Sequence, residues 1–189
     1  MSKTPADFTP PILETARTIM RCPQLQDFDA SAKMWADPKV VEFISDKPFT
    51  PEESWARLLR NIGHWHALGY GGWTVEDKQT GEFLGHVGLG DLKRNIAPEL
   101  DELPEIGWVL ATSAYGRGIA TETVKVAIEW ADKNLIAPKT FGVFAPEHEV
   151  SQRVAQKCGF ENMMTTSYHG QPALIMTRDR PVQTETQPT

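Results

Sequence analysis

The chain of 189 residues is short of cysteine, of positive charge and of long apolar runs, and each shortage excludes a class of protein. Its two cysteines, Cys22 and Cys158, are too few for a disulfide framework or a cysteine-rich zinc site. The five histidines never fall in an H-E-x-x-H pattern, so no metal is expected. A formal net charge of −6 leaves no basic surplus to release counterions from phosphates, which argues against a nucleic-acid partner. No stretch approaches the roughly 20 apolar residues that span a bilayer, and the N-terminus lacks the apolar core of a signal peptide. A cytoplasmic protein with no membrane partner is the expectation.

What is present suits one α/β domain. Hydrophobic residues make up 40% and charged residues 23%, ordinary values for a globular chain. Residues 1–11 carry Pro5, Pro10 and Pro11 and read as a flexible arm, 12–180 as the domain, and 181–189 as a disordered tail. Strands are expected over 15–22, 72–76, 82–89, 105–110, 139–145, 160–168 and 173–178. Helices are expected over 27–36, 51–69, 115–134 and 147–158, with a short turn or two at 40–44. The second of these helices is the best signalled. Thr50 is its N-cap, Pro51 takes the first helical position, Glu53 completes a capping box, and Gly69 ends it. Trp55, Leu58, Leu59, Ile62 and Trp65 form its apolar stripe. Hairpins mixed with strand–helix–strand crossovers predict a mixed sheet covered by helices.

The segment most suggestive of chemistry is Glu105-Ile106-Gly107-Trp108-Val109-Leu110, a short loop, and then Tyr115-Gly116-Arg117-Gly118-Ile119-Ala120-Thr121-Glu122. A strand ends and two glycines open an amphipathic helix. Glycines there leave backbone N–H groups uncovered, and with the helix dipole these make an anion site fit for a pyrophosphate. The string is not a P-loop, and Thr121 stands where a dinucleotide fingerprint needs a third small residue. On these residues alone the glycines equally well just end a loop.

The same string resembles the pyrophosphate motif of the GNAT acetyltransferases, and within them the branch of the RimJ/RimL ribosomal-protein N-acetyltransferases and related small-molecule enzymes. Ser151-Gln152-Arg153-Val154 through Lys157-Cys158-Gly159-Phe160 resembles that branch's second cofactor motif. Trp73-Thr74-Val75 through Gly81-Glu82-Phe83-Leu84-Gly85 resembles its central hairpin. Three departures stand out: Ser113 replaces a Gln or Arg, His148 replaces an Asn, and Ala155 stands where many GNATs carry a tyrosine acid. The last is shared with the RimJ/RimL-like branch.

The resemblance implies a GNAT-like domain with a mostly antiparallel mixed sheet, splayed at its centre. It implies acetyl-CoA as co-substrate, with the pantetheine arm between the strand of Trp108, Val109 and Leu110 and the strand at Phe141. Tyr115, Gly116, Arg117, Gly118, Ile119, Ala120 and Thr121 would hold the pyrophosphate, with His148 and Ser151 as further cofactor contacts. An N–H of Val109 or Leu110 would polarise the thioester carbonyl. Glu105 is the candidate base and Ser151 the candidate acid, while Glu122 reads as a first-turn dipole partner. Tyr168 and Trp73 are candidates for the acceptor pocket. The implied reaction is acetyl transfer to a primary amine, on a protein N-terminus or a small molecule, with a homodimer allowed. A non-catalytic acyl-CoA sensor is the alternative.

Overall fold

A computed structural model describes residues 9–181. Eight strands form one mixed sheet in the order β1-β2-β3-β4-β5-β6-β8-β7. The strands are β1 (Leu13–Glu14), β2 (Thr18–Arg21), β3 (Gly72–Asp77), β4 (Phe83–Gly90), β5 (Glu105–Leu110), β6 (Lys139–Phe144), β7 (Glu161–Tyr168) and β8 (Gln171–Asp179). The helices are α1 (Phe28–Trp35), α2 (Pro38–Val41), α3 (Pro51–Leu68), α4 (Ile119–Asn134) and α5 (Glu149–Lys157). The expected mixed, mostly antiparallel architecture is the observed one: only β5 and β6 run parallel. The arm and tail expected at the two ends lie largely outside the described residues.

Strand alternation sends side chains to two separate cores. Met20, Trp73, Val75, Val87, Leu89, Ile106 and Leu110 face α4, whose Ile119, Val124, Ala127, Ile128 and Ala131 are all buried. On the opposite face Met34, Trp35, Val40 and Val41 of α1 and α2 pack with Phe83, Val109 and Ala111. A third cluster, Leu100, Phe141 and Ile175, sits beneath the 91–104 segment.

The first expected strand is interrupted. Thr15 Oγ1 accepts from the N–H groups of Arg17 and Thr18, at 3.2 and 2.8 Å, and this turns residues 15–17 into the bend of a β1–β2 hairpin. Side-chain capture of backbone donors has beaten the strand pattern. The capping box on α3 is present as expected, with Thr50 bonded to the Glu53 N–H and Gly69 left-handed at the C-cap. Its buried side is narrower than the predicted stripe, however. Ser54, Leu58 and Trp65 are buried, whereas Trp55 and Leu59 are exposed. Helix α4 begins at Ile119, four residues later than expected, because residues 112–118 are taken up by a 3-10 turn and two left-handed glycines.

Buried polar groups tie the opposite face, toward α1, together. Arg21 grips Asp27 through both terminal nitrogens at 2.9 and 2.7 Å, and also holds Glu76. Thr74 and the Gln24 N–H complete the set on Asp27. Beside this network His86 is buried, with Nε2 3.0 Å from Ser31 Oγ. Burial, partly countered by the nearby Asp27 carboxylate, pushes its imidazole down from 6.5 to about 4. The folded chain therefore refuses a proton that the unfolded chain accepts, and stability falls as pH drops through this window. Complete protonation of the unfolded state costs the fold about 3 kcal/mol. Urea unfolding of the wild type and His86→Asn at about pH 7 and about pH 4.5 checks this. The variant should lose less stability on acidification by about 2 kcal/mol, and parallel losses would place the charge-sensitive group elsewhere.

Candidate active site

The sheet opens at its middle. Strands β5 and β6 share one bridged pair, Glu105 with Phe141, beside a Phe141 N–H to Pro104 O bond of 3.2 Å. Beyond it no further pair is made, so the strands diverge toward their C-terminal ends. Trp108 and Val109 on β5 and Val143 on β6 are only half-buried as a result. The Trp108 and Phe144 rings, 5.4 Å apart, fill the wedge on the α4 side.

Parity decides which backbone groups line that gap. The Ala111 N–H donates to Leu84 O at 2.8 Å, toward β4, while Ile106 O lies on the side of Gly142 in β6. Backbone groups alternate in direction along a strand. The N–H groups of Trp108 and Leu110 therefore face the gap, and that of Val109 pairs back onto β4. Of the two donors expected for a carbonyl, only Leu110 points the right way. Gly85 keeps β4 close to β5 here: its φ is +139°, and a Cβ would stand 2.3 Å from Val109 O.

The gap leads to the N-terminus of α4. Gly116 and Gly118 are both left-handed, with φ of +71° and +74°. The first helical bond recorded there is Glu122 N–H to Gly118 O at 3.2 Å, so the N–H groups of Ile119, Ala120 and Thr121 have no preceding turn to donate to. Tyr115 is different, because its N–H closes the preceding turn on Thr112 O at 3.1 Å and is not free for an anion. Arg117 also turns away, with its guanidinium 2.9 Å from Asp77 and 3.4 Å from Ser113 O.

Arg17, which the sequence reading passed over, holds this loop. Its side chain donates to both Glu122 Oε2 and Arg117 O, and its own N–H donates to Glu122 Oε1 at 3.0 Å. Burial would push the Glu122 carboxyl up, but these donors and the Thr15 hydroxyl outweigh it and hold the carboxyl below its ordinary range. Glu122 is thus a first-turn acid that also ties α4 to the β1–β2 bend.

Two further clusters flank the gap. At its base Glu105 is buried and accepts from Arg94 Nε at 2.7 Å, while Arg94 Nη1 donates to the Tyr168 hydroxyl at 3.2 Å. Arg94 thereby joins two residues singled out separately in the sequence. Arg94 and Glu105, with Phe141 and most of the 90–103 segment, border a cavity of about 280 Å³. On the β6 side Ser151 Oγ lies 3.3 Å from His148 Nε2, and the His148 ring stacks on Phe43 at 4.4 Å. Burial pushes the His148 imidazole down, with the Glu42 carboxylate opposing. Trp73 belongs to neither cluster. It is fully buried between Trp65 and Trp130, and its Nε1 donates to Pro11 O at 2.9 Å. An acceptor cannot reach it, which corrects its expected role.

The sequence matches the acetyltransferase (GNAT) domain family over residues 17–161. The chain belongs to the GNAT acetyltransferases. Among similar proteins is the uncharacterized YkkB of Bacillus subtilis, 30% identical over an alignment of 174 residues that covers 88% of this chain and 94% of that one. Among solved structures, an acetyltransferase from Agrobacterium tumefaciens superposes with a TM-score of 0.76 at 24% identity, covering 93% of this chain and 98% of that one. A ribosomal-protein-S5-alanine acetyltransferase from Vibrio fischeri gives 0.71 at 20% identity, covering 91% and 98%. A spermidine N-acetyltransferase from Vibrio cholerae, in complex with CoA and spermine, gives 0.69 at 17% identity, covering 86% and 95%. In this GNAT chain no group of three or more His, Cys, Asp or Glu side chains gathers as a metal set among the described residues. No helix among them is long and apolar enough to cross a membrane.

Arg17→Ala removes the tie between the β1–β2 bend and α4. The pair is partly exposed, so the cost should be about 1 kcal/mol, a fall in Tm of about 2–4 °C. Amide exchange should speed up over residues 115–122 and not over α3, and uniform acceleration would deny the local role.

Proposed function

We propose that this GNAT acetyltransferase transfers an acetyl group from acetyl-CoA to a primary amine by direct attack on the thioester. The observation that carries the reading is the single-pair parting of β5 and β6, aligned with the left-handed Gly116-Arg117-Gly118 turn. The gap suits a narrow pantetheine chain that pairs with Trp108 and Leu110. The N–H groups of Ile119, Ala120 and Thr121 suit a pyrophosphate, with Gly116 and Gly118 giving it close approach.

Transfer requires an uncharged amine, a polarised carbonyl and a protonated leaving thiolate. Glu105 takes the ammonium proton, directly or through water, since its carboxylate stands where the two strands begin to part. Of the two gap-facing N–H groups, that of Trp108 is the nearer to Glu105 along β5 and stabilises negative charge on the thioester oxygen, while that of Leu110 pairs with the pantetheine arm. Ser151 donates a proton to the departing thiolate and regains one from solvent, where the ammonium proton is released, while His148, hydrogen-bonded to Ser151 Oγ, orients the hydroxyl. Tyr168, held by Arg94, borders the acceptor side. The reading places the protein in the cytoplasm, where acetyl-CoA is made.

Gly118→Asp tests the cofactor half. It sets a side chain and a negative charge against the pyrophosphate at a position with φ of +74°. Calorimetric CoA affinity should fall at least about tenfold, or about 1.4 kcal/mol, and unchanged affinity would sink the assignment. Glu105→Gln tests the transfer half. Thiol release with an amine panel should drop about a hundredfold or more, within the range for a lost general base, while CoA affinity holds. Tight CoA binding by the wild type without turnover on any amine would favour an acyl-CoA sensor.

A further inference from the structure

The acceptor side of the gap holds three arginines, of which only Arg94 is paired with a carboxylate among the described residues. Arg57, Arg60 and His64 recur at i, i+3 and i+7 on α3, which places them along one side of the helix. His64 fixes which way that side looks: its Nε2 is 3.1 Å from Asp91 O, and its ring lies against Gly90, at the border of the cavity that Glu105 and Arg94 share. Arg57 is held in place by stacking, its guanidinium carbon 4.7 Å from the Trp35 ring centroid and 4.1 Å from that of Phe49.

Neither Arg57 nor Arg60 makes a salt bridge or side-chain hydrogen bond among the described residues. The nearby acids are engaged elsewhere. Glu105 is paired with Arg94, Asp91 with Lys93 at 2.6 Å, and Glu53 caps the Thr50 N–H at 2.8 Å. Asp101 and Glu102, also on the cavity border, are exposed to solvent. Desolvation first, and then repulsion from Arg60 and Arg94, pushes the Arg57 guanidinium down to about 10. Arg60 moves in the same direction, by desolvation and then by Arg94. Arg57 and Arg60, one helical turn apart on α3, repel each other, and an incoming anion relieves the repulsion.

We propose that Arg57, Arg60 and Arg94 form an anion-recognition site for the acceptor, which is an amine carrying one or more carboxylates close to its reactive nitrogen. This rests on the acetyl-transfer reading above. Free acidic amino acids and acidic peptide N-termini share the chemistry. A polyamine does not, because its second ammonium would meet the same three arginines. The guanidiniums take the acceptor carboxylates in forked hydrogen bonds, and Glu105 remains for the ammonium.

The test measures binding without needing turnover. Three C-terminally labelled hexapeptides share a free Ser-Ala N-terminus and continue with Asp and Glu, with Gly and Ser, or with Lys. Their affinities for the CoA-saturated protein are measured by fluorescence anisotropy, and that of free glutamate by calorimetry. The acidic peptide, free glutamate, or both should bind at least about tenfold more tightly than the neutral and basic peptides, and raised salt should weaken them. Which acidic probe binds identifies the source. Arg60→Glu, at an exposed position that leaves the core untouched, should cancel or invert the preference while CoA affinity is kept. A basic or neutral peptide that binds as well as the acidic one overturns the proposal. So does the absence of binding by both acidic probes, or an equal loss for every peptide in Arg60→Glu. Thiol release with the same acceptors separates the two readings: acidic acceptors that bind but release no CoA refute transfer and leave anion recognition standing.

Discussion

The parting of two parallel strands after one bridged pair is the constraint on which the rest of the molecule depends. A sheet normally continues its ladder because unpaired backbone groups are costly when buried. Here β5 and β6 stop at Glu105 and Phe141, and each is held by its outer partner instead, β5 by six residues of β4 and β6 by six residues of β8. The Trp108–Phe144 contact wedges the opening from the α4 side. Backbone donors are thereby displayed on a rigid frame rather than on a loop, which suits a cofactor recognised mainly through its main-chain-like arm.

Charge is arranged around the opening with some economy. Arg17 and Arg117 sit near the turn of Gly116 and Gly118, yet both are matched by carboxylates, Glu122 and Asp77, and serve to shape it. In the proposed reading, recognition there is left to N–H groups. On the acceptor side the pattern is reversed, with Arg57 and Arg60 in no ion pair among the described residues. One end of the groove is built by neutralised cations and the other by cations still wanting partners.

Much of this was legible in the residues. The capping box at Thr50 and Glu53 and the glycine pair at 116 and 118 opening a helix are local signals, read at short range and present in the fold. The strand alternation likewise gave the mixed sheet. What escaped the sequence was contact at long separation. Arg94 lies in a polar loop with nothing to mark it, and only the fold brings it between Glu105 and Tyr168. Trp73 looked like a groove wall because aromatic residues serve in both cores and pockets, and pattern alone does not tell which face of a strand is covered by α4. The strand expected from Thr15 failed for a local reason, the hydroxyl that captures two backbone donors.

The bond from Arg17 to Glu122 spans 105 residues of chain. Loops that long close slowly, and what they tether is completed late. During synthesis, the turn of Gly116 and Gly118 therefore emerges without its brace already folded against it: the β1–β2 bend must wait until most of the sheet and the first turn of α4 have been made. A truncated product that keeps this glycine turn but lacks the N-terminal hairpin would thus carry the motif without the shape.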